Sequence, residues 1–217
     1  MDEACRITIP SGYGIGYGKG TIASAKYEIK LGQGTHYLLA RNGRGKTTLL
    51  RSIAGSLSAL VGRAYVRGNV QFVPEDIEYN DHLSAKVILK ALLPSESLQD
   101  CLAFAERIEL DVNKNYRDLS TGNKRKISWL MAEFSCSKDG GDVLLLDEPF
   151  TGVDSYVRNA FMEYWSECQS GVCRLVSCHP DFDSMGIHSA VLISDGEITH
   201  TGSNQGKSWG ELKGALI

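Results

Sequence analysis

Apolar positions change period several times along this chain, and each change predicts an element. Residues 5–9, 21–22 and 27–29 read as short strands around the glycine-rich residues 11–20, an antiparallel apron at the start of the chain. His36, Tyr37, Leu38 and Leu39 form an apolar run; beyond a glycine-bearing turn, Leu49, Leu50, Ile53, Ala54 and Leu57 recur at helical spacing. Residues 64–66 and 70–73 alternate as short strands until Pro74 breaks the pattern. Leu83, Val87, Ile88, Ala91 and Leu92 then predict one helix face, and Leu98, Cys101, Leu102, Ala105 and Ile108 another. A third helix opens after Leu119, with Ser120 as its natural N-cap and Ile127, Leu130, Met131 and Phe134 on its inner face.

Residues 142–146 are almost uninterruptedly apolar, as a strand buried on both faces of a parallel sheet must be. Val157, Phe161, Trp165 and Cys168 predict the next helix, residues 174–177 the next strand, and residues 191–194 and 197–201 a hairpin joined by Asp195-Gly196. A short helix from Ser208 is expected in the tail. Strands alternating with helices imply an α/β fold with a mostly parallel core, here about 1–75 and 140–217. The helices of about 76–139 cannot bury both faces alone, so they are read as a small helical subdomain leaning on that core.

Composition narrows this only a little. A chain of 217 residues suits one domain, or one core with a small subdomain. A net charge of −3 gives no reason to expect direct nucleic-acid binding, and no window approaches eighteen apolar residues. The acidic start, Met1-Asp2-Glu3-Ala4-Cys5, lacks an apolar signal core, so a cytoplasmic chain is expected. Cysteines at 5, 101, 136, 168, 173 and 178 form no C-x-x-C pair and no zinc spacing; they read as small buried hydrophobes in a reducing compartment.

The chemistry is concentrated in the turn Ala40-Arg41-Asn42-Gly43-Arg44-Gly45-Lys46-Thr47-Thr48. A strand, a glycine-rich turn and a helix in that order make a phosphate-binding loop, in which backbone N–H groups wrap phosphate oxygens. Lys46 adds a positive charge, and Thr47 offers the hydroxyl that a magnesium ion needs. Ala40 stands where the motif G-x-x-x-x-G-K-[ST] begins with glycine, a change tolerable where the backbone has negative φ. Asp147 and Glu148 end the apolar strand, where one carboxylate can hold Mg²⁺ and the other accept a proton from water. Lys124, Arg125 and Lys126 in a first helical turn oppose the helix dipole; they are read either as facing a nearby anion or as a solvated face. Tyr17, with Tyr13 as its competitor, could stack on an adenine ring. His179, at a strand end, could touch a γ-phosphate or be a capped structural residue.

With these segments in this order the chain resembles the ATP-binding cassette (ABC) ATPases, P-loop NTPases, over nearly its whole length. Leu119-Ser120-Thr121-Gly122-Asn123 resembles the family signature Leu-Ser-Gly-Gly-Gln, and with the following cations looks like the variant of the drug-resistance and lipid-exporter branch. The resemblance implies that Lys46 and Thr47 belong to Walker A, that Asp147 is the Walker B carboxylate and Glu148 the catalytic base, and that Asp154 is the D-loop acid and His179 the switch histidine. ATP contacts are then expected at Tyr17, Asn42, Gly43, Arg44, Gly45, Lys46, Thr47, Thr48, Ser120, Gly122 and Asp154, and Mg²⁺ contacts at Thr47, Asp147 and Glu75. Glu75 follows Phe72-Val73-Pro74 where the family carries its Q-loop glutamine; Gln71 is out of phase.

The family implies a dimer of two ATPase subunits that share each ATP, and a separate transmembrane permease, which would put the chain on the cytoplasmic face of a membrane. A soluble ABC ATPase of the iron–sulfur-assembly type is the alternative. A P-loop kinase or GTPase is disfavoured by the signature and by the lack of a guanine-recognition N-K-x-D.

Overall fold

The computed structural model describes residues 5–137, 140–167, 171–178 and 186–202, together with 207, 208, 212 and 214. Its strands are β1 (Cys5–Ile9), β2 (Gly14–Tyr17), β3 (Gly20–Ala25), β4 (Ile29–Gly32), β5 (Gly34–Ala40), β6 (Tyr65–Val66), β7 (Val70–Val73), β8 (Val143–Leu146), β9 (Cys173–Cys178), β10 (Gly186–Ile187), β11 (Ala190–Ser194), β12 (Glu197–Thr201) and β13 (Lys207–Ser208). Its α-helices are α1 (Lys46–Ile53), α2 (Ala85–Leu92), α3 (Ser95–Arg107), α4 (Thr121–Phe134) and α5 (Ser155–Glu167).

One eight-stranded sheet, in the order β2-β3-β12-β11-β5-β9-β8-β7, organises the molecule. Its run β11-β5-β9-β8-β7 is parallel throughout, so the C-terminal ends of these strands emerge along one edge. Alternation along the strands divides the core between the two faces. Tyr37, Leu39, Leu144 and Leu146 join the cluster that holds α2 to α5, while Leu38, Ala40, Val143 and Leu145 join the cluster under α1 and β1. The apolar residues of α2 to α4 are thus continuous with one face of the sheet.

The expected antiparallel strands at the start of the chain are divided between two sheets. β1 and β4 form a separate antiparallel sheet with β6, whereas β2 and β3 make an antiparallel hairpin that joins the main sheet through the parallel pair β3–β12. Part of the glycine-rich stretch is itself strand β2, and backbone crowding explains the glycine at position 16. A Cβ at Gly16 would lie 2.0 Å from the carbonyl oxygen of Gly20, at a register shift in the hairpin.

Two helices also differ from the periodicity. α1 stops at Ile53, before Leu57, and Gly55 takes φ 78° just beyond it. α2 buries Ala85, Ile88 and Leu89; of the expected face Ile88 is buried, while Val87, Ala91 and Leu92, with Leu83 just ahead of the helix, are exposed, so the inner face is rotated from the expected one. Ser208 lies in a strand paired with Gly186 rather than at a helix start, and Cys168 and His179 lie outside the described residues. Cys101, Cys173 and Cys178 are buried, Cys5 and Cys136 half-buried. Burial pushes the thiols of Cys101 and Cys173 up to about 12, which leaves them unreactive at neutral pH.

Candidate functional site

The parallel register brings the expected chemistry to one edge. Leu39 is level with Cys178, Val176 with Leu146, and Leu146 with Val73, so the turns after β5, β8 and β7 emerge side by side. These turns carry residues 41–45, Asp147 with Glu148, and Glu75. That is the crevice in which open parallel sheets hold ligands.

The phosphate loop has the required shape. Gly43 and Gly45 have φ 74° and 101°, conformations that side chains resist. A Cβ at Gly43 would meet nothing within 4 Å, so the glycine serves the backbone angle and not space. At Gly45 both matter, since a Cβ would touch Ile22 at 3.0 Å. Ala40 is not among the residues with positive φ, which is why it is accepted in place of glycine. α1 starts at Lys46 with no side chain capping it, leaving its first N–H groups for an anion.

Lys46 is buried, and its ammonium donates to the carbonyl of Ala40 at 3.3 Å and to Asn42 Oδ1 at 3.5 Å. It also lies 3.2 Å from Glu148 Oε1. Asp147 is buried and accepts from the Ser177 hydroxyl at 2.8 Å, while the same oxygen of Ser177 accepts the Glu148 N–H at 2.7 Å. One serine of β9 therefore sets both carboxylate residues of the neighbouring strand end. Glu148 has φ 45°, rare for a residue with a side chain. Thr151 donates to its Oε2 at 3.4 Å.

Thr47, Glu75 and Asp147 line one concavity of 370 Å³ with Arg51, Asp76 and Arg125. A hydroxyl and carboxylates are the hard oxygen donors that suit Mg²⁺, which takes few protein ligands and keeps water and phosphate oxygens for the rest. Gln71 points elsewhere in the sequence order of the strand: it pairs with Leu144 in the middle of β7, whereas Glu75 lies beyond the strand end. The ring of Tyr17 is exposed and its hydroxyl is 3.2 Å from Thr48 Oγ1 at the foot of the loop helix. Tyr13 is buried, with its hydroxyl donating to Ser52 at 2.6 Å, and has no free face for a base.

The remaining motif residues have local tasks in the chain. Ser120 caps α4 by accepting the Asn123 N–H at 3.3 Å, and is exposed. Asp154 caps α5 by accepting the Val157 N–H at 2.9 Å. Gly122 is where the signature touches the turn before α5: a Cβ there would lie 2.7 Å from the carbonyl oxygen of Gly152. The three cations of the first α4 turn do not face one anion. Lys124 sits over the Tyr116 ring, Lys126 is buried and donates to the carbonyl of Ile108 at 2.8 Å, and only Arg125 reaches a carboxylate, that of Glu75. Burial holds the Lys126 ammonium below its usual range. Ser177 and the pairing of Arg125 with Glu75 and Glu148 escape a reading of the sequence, because the placement of strands and helix rather than spacing brings them together; a polar residue in the otherwise apolar 175–178 is the one signal for Ser177.

A family model described as ABC transporter matches residues 23–151. YtrB, an ABC transporter ATP-binding protein of Bacillus subtilis, is 31% identical over 140 residues, covering 58% of this chain and 47% of its own. The rat phospholipid-transporting ATPase ABCA3 is 28% identical over 189 residues, covering 77% of this chain and 11% of its own. This chain spans about half the length of the first curated relatives it matches. Among solved structures, the ATP binding subunit of an ABC transporter superposes with a TM-score of 0.76 at 18% identity, covering 97% of this chain and 99% of that one.

Proposed function

From the premise that the chain belongs to the ABC transporter ATPase family, we propose that it binds and hydrolyses ATP to drive a separate membrane permease. One observation carries the reading. Lys46 of the phosphate loop and Glu148 of the neighbouring strand end meet at 3.2 Å, beside the concavity formed by Thr47, Asp147 and Glu75.

In this reading the N–H groups of residues 43–48 hold the β- and γ-phosphates, and Lys46 turns from Glu148 to the phosphate oxygens. Thr47 and Asp147, with Glu75 lining the same concavity, would hold Mg²⁺, which would supply neutralising charge for the phosphates. Glu148 takes the proton of an in-line water, and the loop N–H groups and Lys46 stabilise the transferring phosphoryl group. Tyr17 stacks on the adenine. Ser120 and Gly122 of a second subunit close over the γ-phosphate, with Asp154 in the role of the D-loop acid and His179 in that of the switch histidine. The partner across the membrane face is a permease docked on the helical subdomain. The exposed apolar side chains Leu83, Val87 and Leu92 support that assignment, as does the lack, among the described residues, of any helix long and apolar enough to cross a membrane.

The test is twofold. Purified protein should hydrolyse ATP only with a divalent cation present, and tagged protein should copurify from detergent extracts with a polytopic membrane protein. Absence of ATP hydrolysis and ATP binding would end the ATPase reading; ATP turnover with a soluble assembly partner only would end the permease reading.

A further inference from the structure

Arg125 is placed where the chemistry of the site converges. Its Nη1 donates to the carbonyl of Glu148 at 2.8 Å, and its Nη2 to Glu75 Oε1 at 2.9 Å. The Arg125 side chain is 15% exposed and that of Glu75 50%, so the guanidinium is the fixed member of the pair and the carboxylate the movable one.

The held carbonyl belongs to Glu148, which is in a left-handed conformation. A side chain at φ 45° persists where its surroundings over-determine it. Here the Glu148 N–H is bound by Ser177 at 2.7 Å, and its carbonyl by Arg125 and by the Thr151 N–H at 3.2 Å. Arg125 thus fixes the peptide that follows Glu148, as Ser177 fixes the one before it.

Charge supplies a second, independent argument. A carboxylate at position 75 adds negative charge to a concavity that already holds Asp147 and Asp76, on the side where a triphosphate would lie. The guanidinium cancels that charge. A planar fork can serve a carbonyl with one terminal nitrogen and a carboxylate with the other, which a lysine ammonium at the same place cannot do with fixed geometry.

Building on the reading of Glu148 as the base of an ATPase, we propose that Arg125 is a positioning residue acting through Glu148, and that Glu75 and Arg125 are a matched pair. The arginine makes a carboxylate tolerable at position 75 and ties the N-terminal part of α4 to the turn that carries the base.

The experiment compares Arg125→Met, Arg125→Lys and the double variant Glu75→Gln/Arg125→Met with the parent chain. ATP affinity is measured by calorimetry in EDTA, turnover with Mg²⁺, and amide exchange of Thr151 without nucleotide. Arg125→Met leaves Glu75 uncompensated and should weaken ATP binding roughly five- to tenfold, a modest effect because the pair is partly exposed. The double variant restores a neutral pair and should recover affinity to within about twofold. Turnover should stay about ten- to hundredfold low in all three variants, since each lacks the fork that orients the Glu148 turn. Thr151 should exchange faster in all three. Arg125→Lys, which keeps the charge, should bind ATP like the parent.

Failure of Glu75→Gln to restore affinity in the Arg125→Met background would overturn the pairing. Restored turnover in the double variant, or Thr151 exchange equal to the parent in Arg125→Met and Arg125→Lys, would overturn the positioning role. A parent chain that neither binds nor hydrolyses ATP would sink the ATPase reading instead, and the Thr151 exchange would still decide whether Arg125 holds the Glu148 turn.

Discussion

Lys46 Nζ lies 3.2 Å from Glu148 Oε1, with the lysine side chain 6% and the glutamate 18% exposed. The cation assigned to the phosphates and the carboxylate assigned to the water are therefore partners of each other. A triphosphate entering the loop competes with Glu148 for Lys46, which ties release of the base to arrival of its substrate.

That competition gives Glu148→Gln two effects of opposite sign. Without the carboxylate, Lys46 is available to phosphate, and ATP affinity should rise by about fivefold or more, because a largely buried ion pair no longer has to be broken. Turnover should fall at least about a hundredfold for want of a general base. Calorimetry and a phosphate-release assay read the two effects separately, and size-exclusion chromatography with ATP should show dimers accumulating. A variant with parental turnover would remove Glu148 from the role of base.

An ATP site shared between two subunits, as proposed, predicts complementation. Lys46→Ala disables the phosphate loop of its own subunit, and Ser120→Arg blocks the signature that it offers to the other. Ser120 is exposed at the start of α4, so the bulk should be accommodated without unfolding the helix. Mixing the two inactive proteins should recover activity from one intact site per heterodimer. No recovery, with heterodimers demonstrated by differential tags, would refute an ATP shared between subunits.

A buried ion pair makes the third prediction. Arg174 in β9 is fully buried; its Nε donates to Glu133 Oε2 in α4 at 3.1 Å, and its Nη2 pairs with Glu133 Oε1. Trp165 of α5 donates to the same carboxylate at 3.1 Å. Three elements whose ends carry Ser120, Asp154 and the strand leading to residue 179 thus meet on one charge. Removing only the carboxylate, as in Glu133→Leu, strands the guanidinium and should cost about 3–5 kcal/mol. Glu133→Leu/Arg174→Met should regain most of that loss, because two apolar chains no longer need hydration. Urea unfolding midpoints decide it; equal destabilisation of the single and double variants would deny that the pair is a unit.

How much of this was legible depends on whether the information is local. The apolar run 143–146 announces a doubly buried strand, and the spacing of Gly43, Gly45, Lys46 and Thr47 announces its loop, since both are written within a few residues. Arg174 is a different case: a lone cation between Cys173 and Leu175 carries no sign that Glu133 awaits it in another element. The α2 face is legible only in part: Ile88 is buried as its period predicts, but Val87 and Leu92 fit that period as well as Ala85 and Leu89 fit a neighbouring one, and packing chooses between them. The Arg125–Glu75 and Ser177–Asp147 contacts follow from the placement of α4, β7, β8 and β9, which no single stretch encodes.

Two histidines predict a pH effect on stability. His36 Nε2 lies 3.0 Å from the carbonyl of Gly32, so in the neutral ring this nitrogen carries the proton and Nδ1 accepts from the Ser189 hydroxyl at 2.7 Å. Ser189 in turn accepts from His200 Nε2 at 2.9 Å. Burial lowers the pKa of both rings, and for His200 the nearby His36 lowers it further. A neutral ring is thus favoured in the folded chain. Stability should be full above the unfolded value of about 6.5 and should be lost as pH falls through the lower folded values. Thermal unfolding between pH 7.5 and 5 should show this decline, and His36→Gln should flatten it. A slope unchanged in His36→Gln would exclude these rings as its source.

The assignment of Glu75 over Gln71 can be decided by metal dependence. Gln71 is level with Leu144 within the β7–β8 ladder, while Glu75 lies past the strand end, around the same concavity as Thr47 and Asp147. If Glu75 is the Q-loop residue, its carboxylate serves two partners, the Arg125 guanidinium at 2.9 Å and a Mg²⁺ that Thr47 and Asp147 would hold. Its negative charge also adds to that of the triphosphate, so closure around ATP should depend on Mg²⁺ more than it would with an amide. Glu75→Gln should therefore lower the Mg²⁺ concentration for half-maximal hydrolysis, and Glu75→Ala should weaken coupling to a permease more than it weakens ATP binding. Gln71→Ala should leave the metal requirement where it is, because a side chain in mid-strand does not reach the site. Titrating Mg²⁺ against activity for the parent, Glu75→Gln and Gln71→Ala separates the two; a shift confined to Gln71→Ala would move the Q-loop role to Gln71 and leave the Glu75–Arg125 contact a surface ion pair.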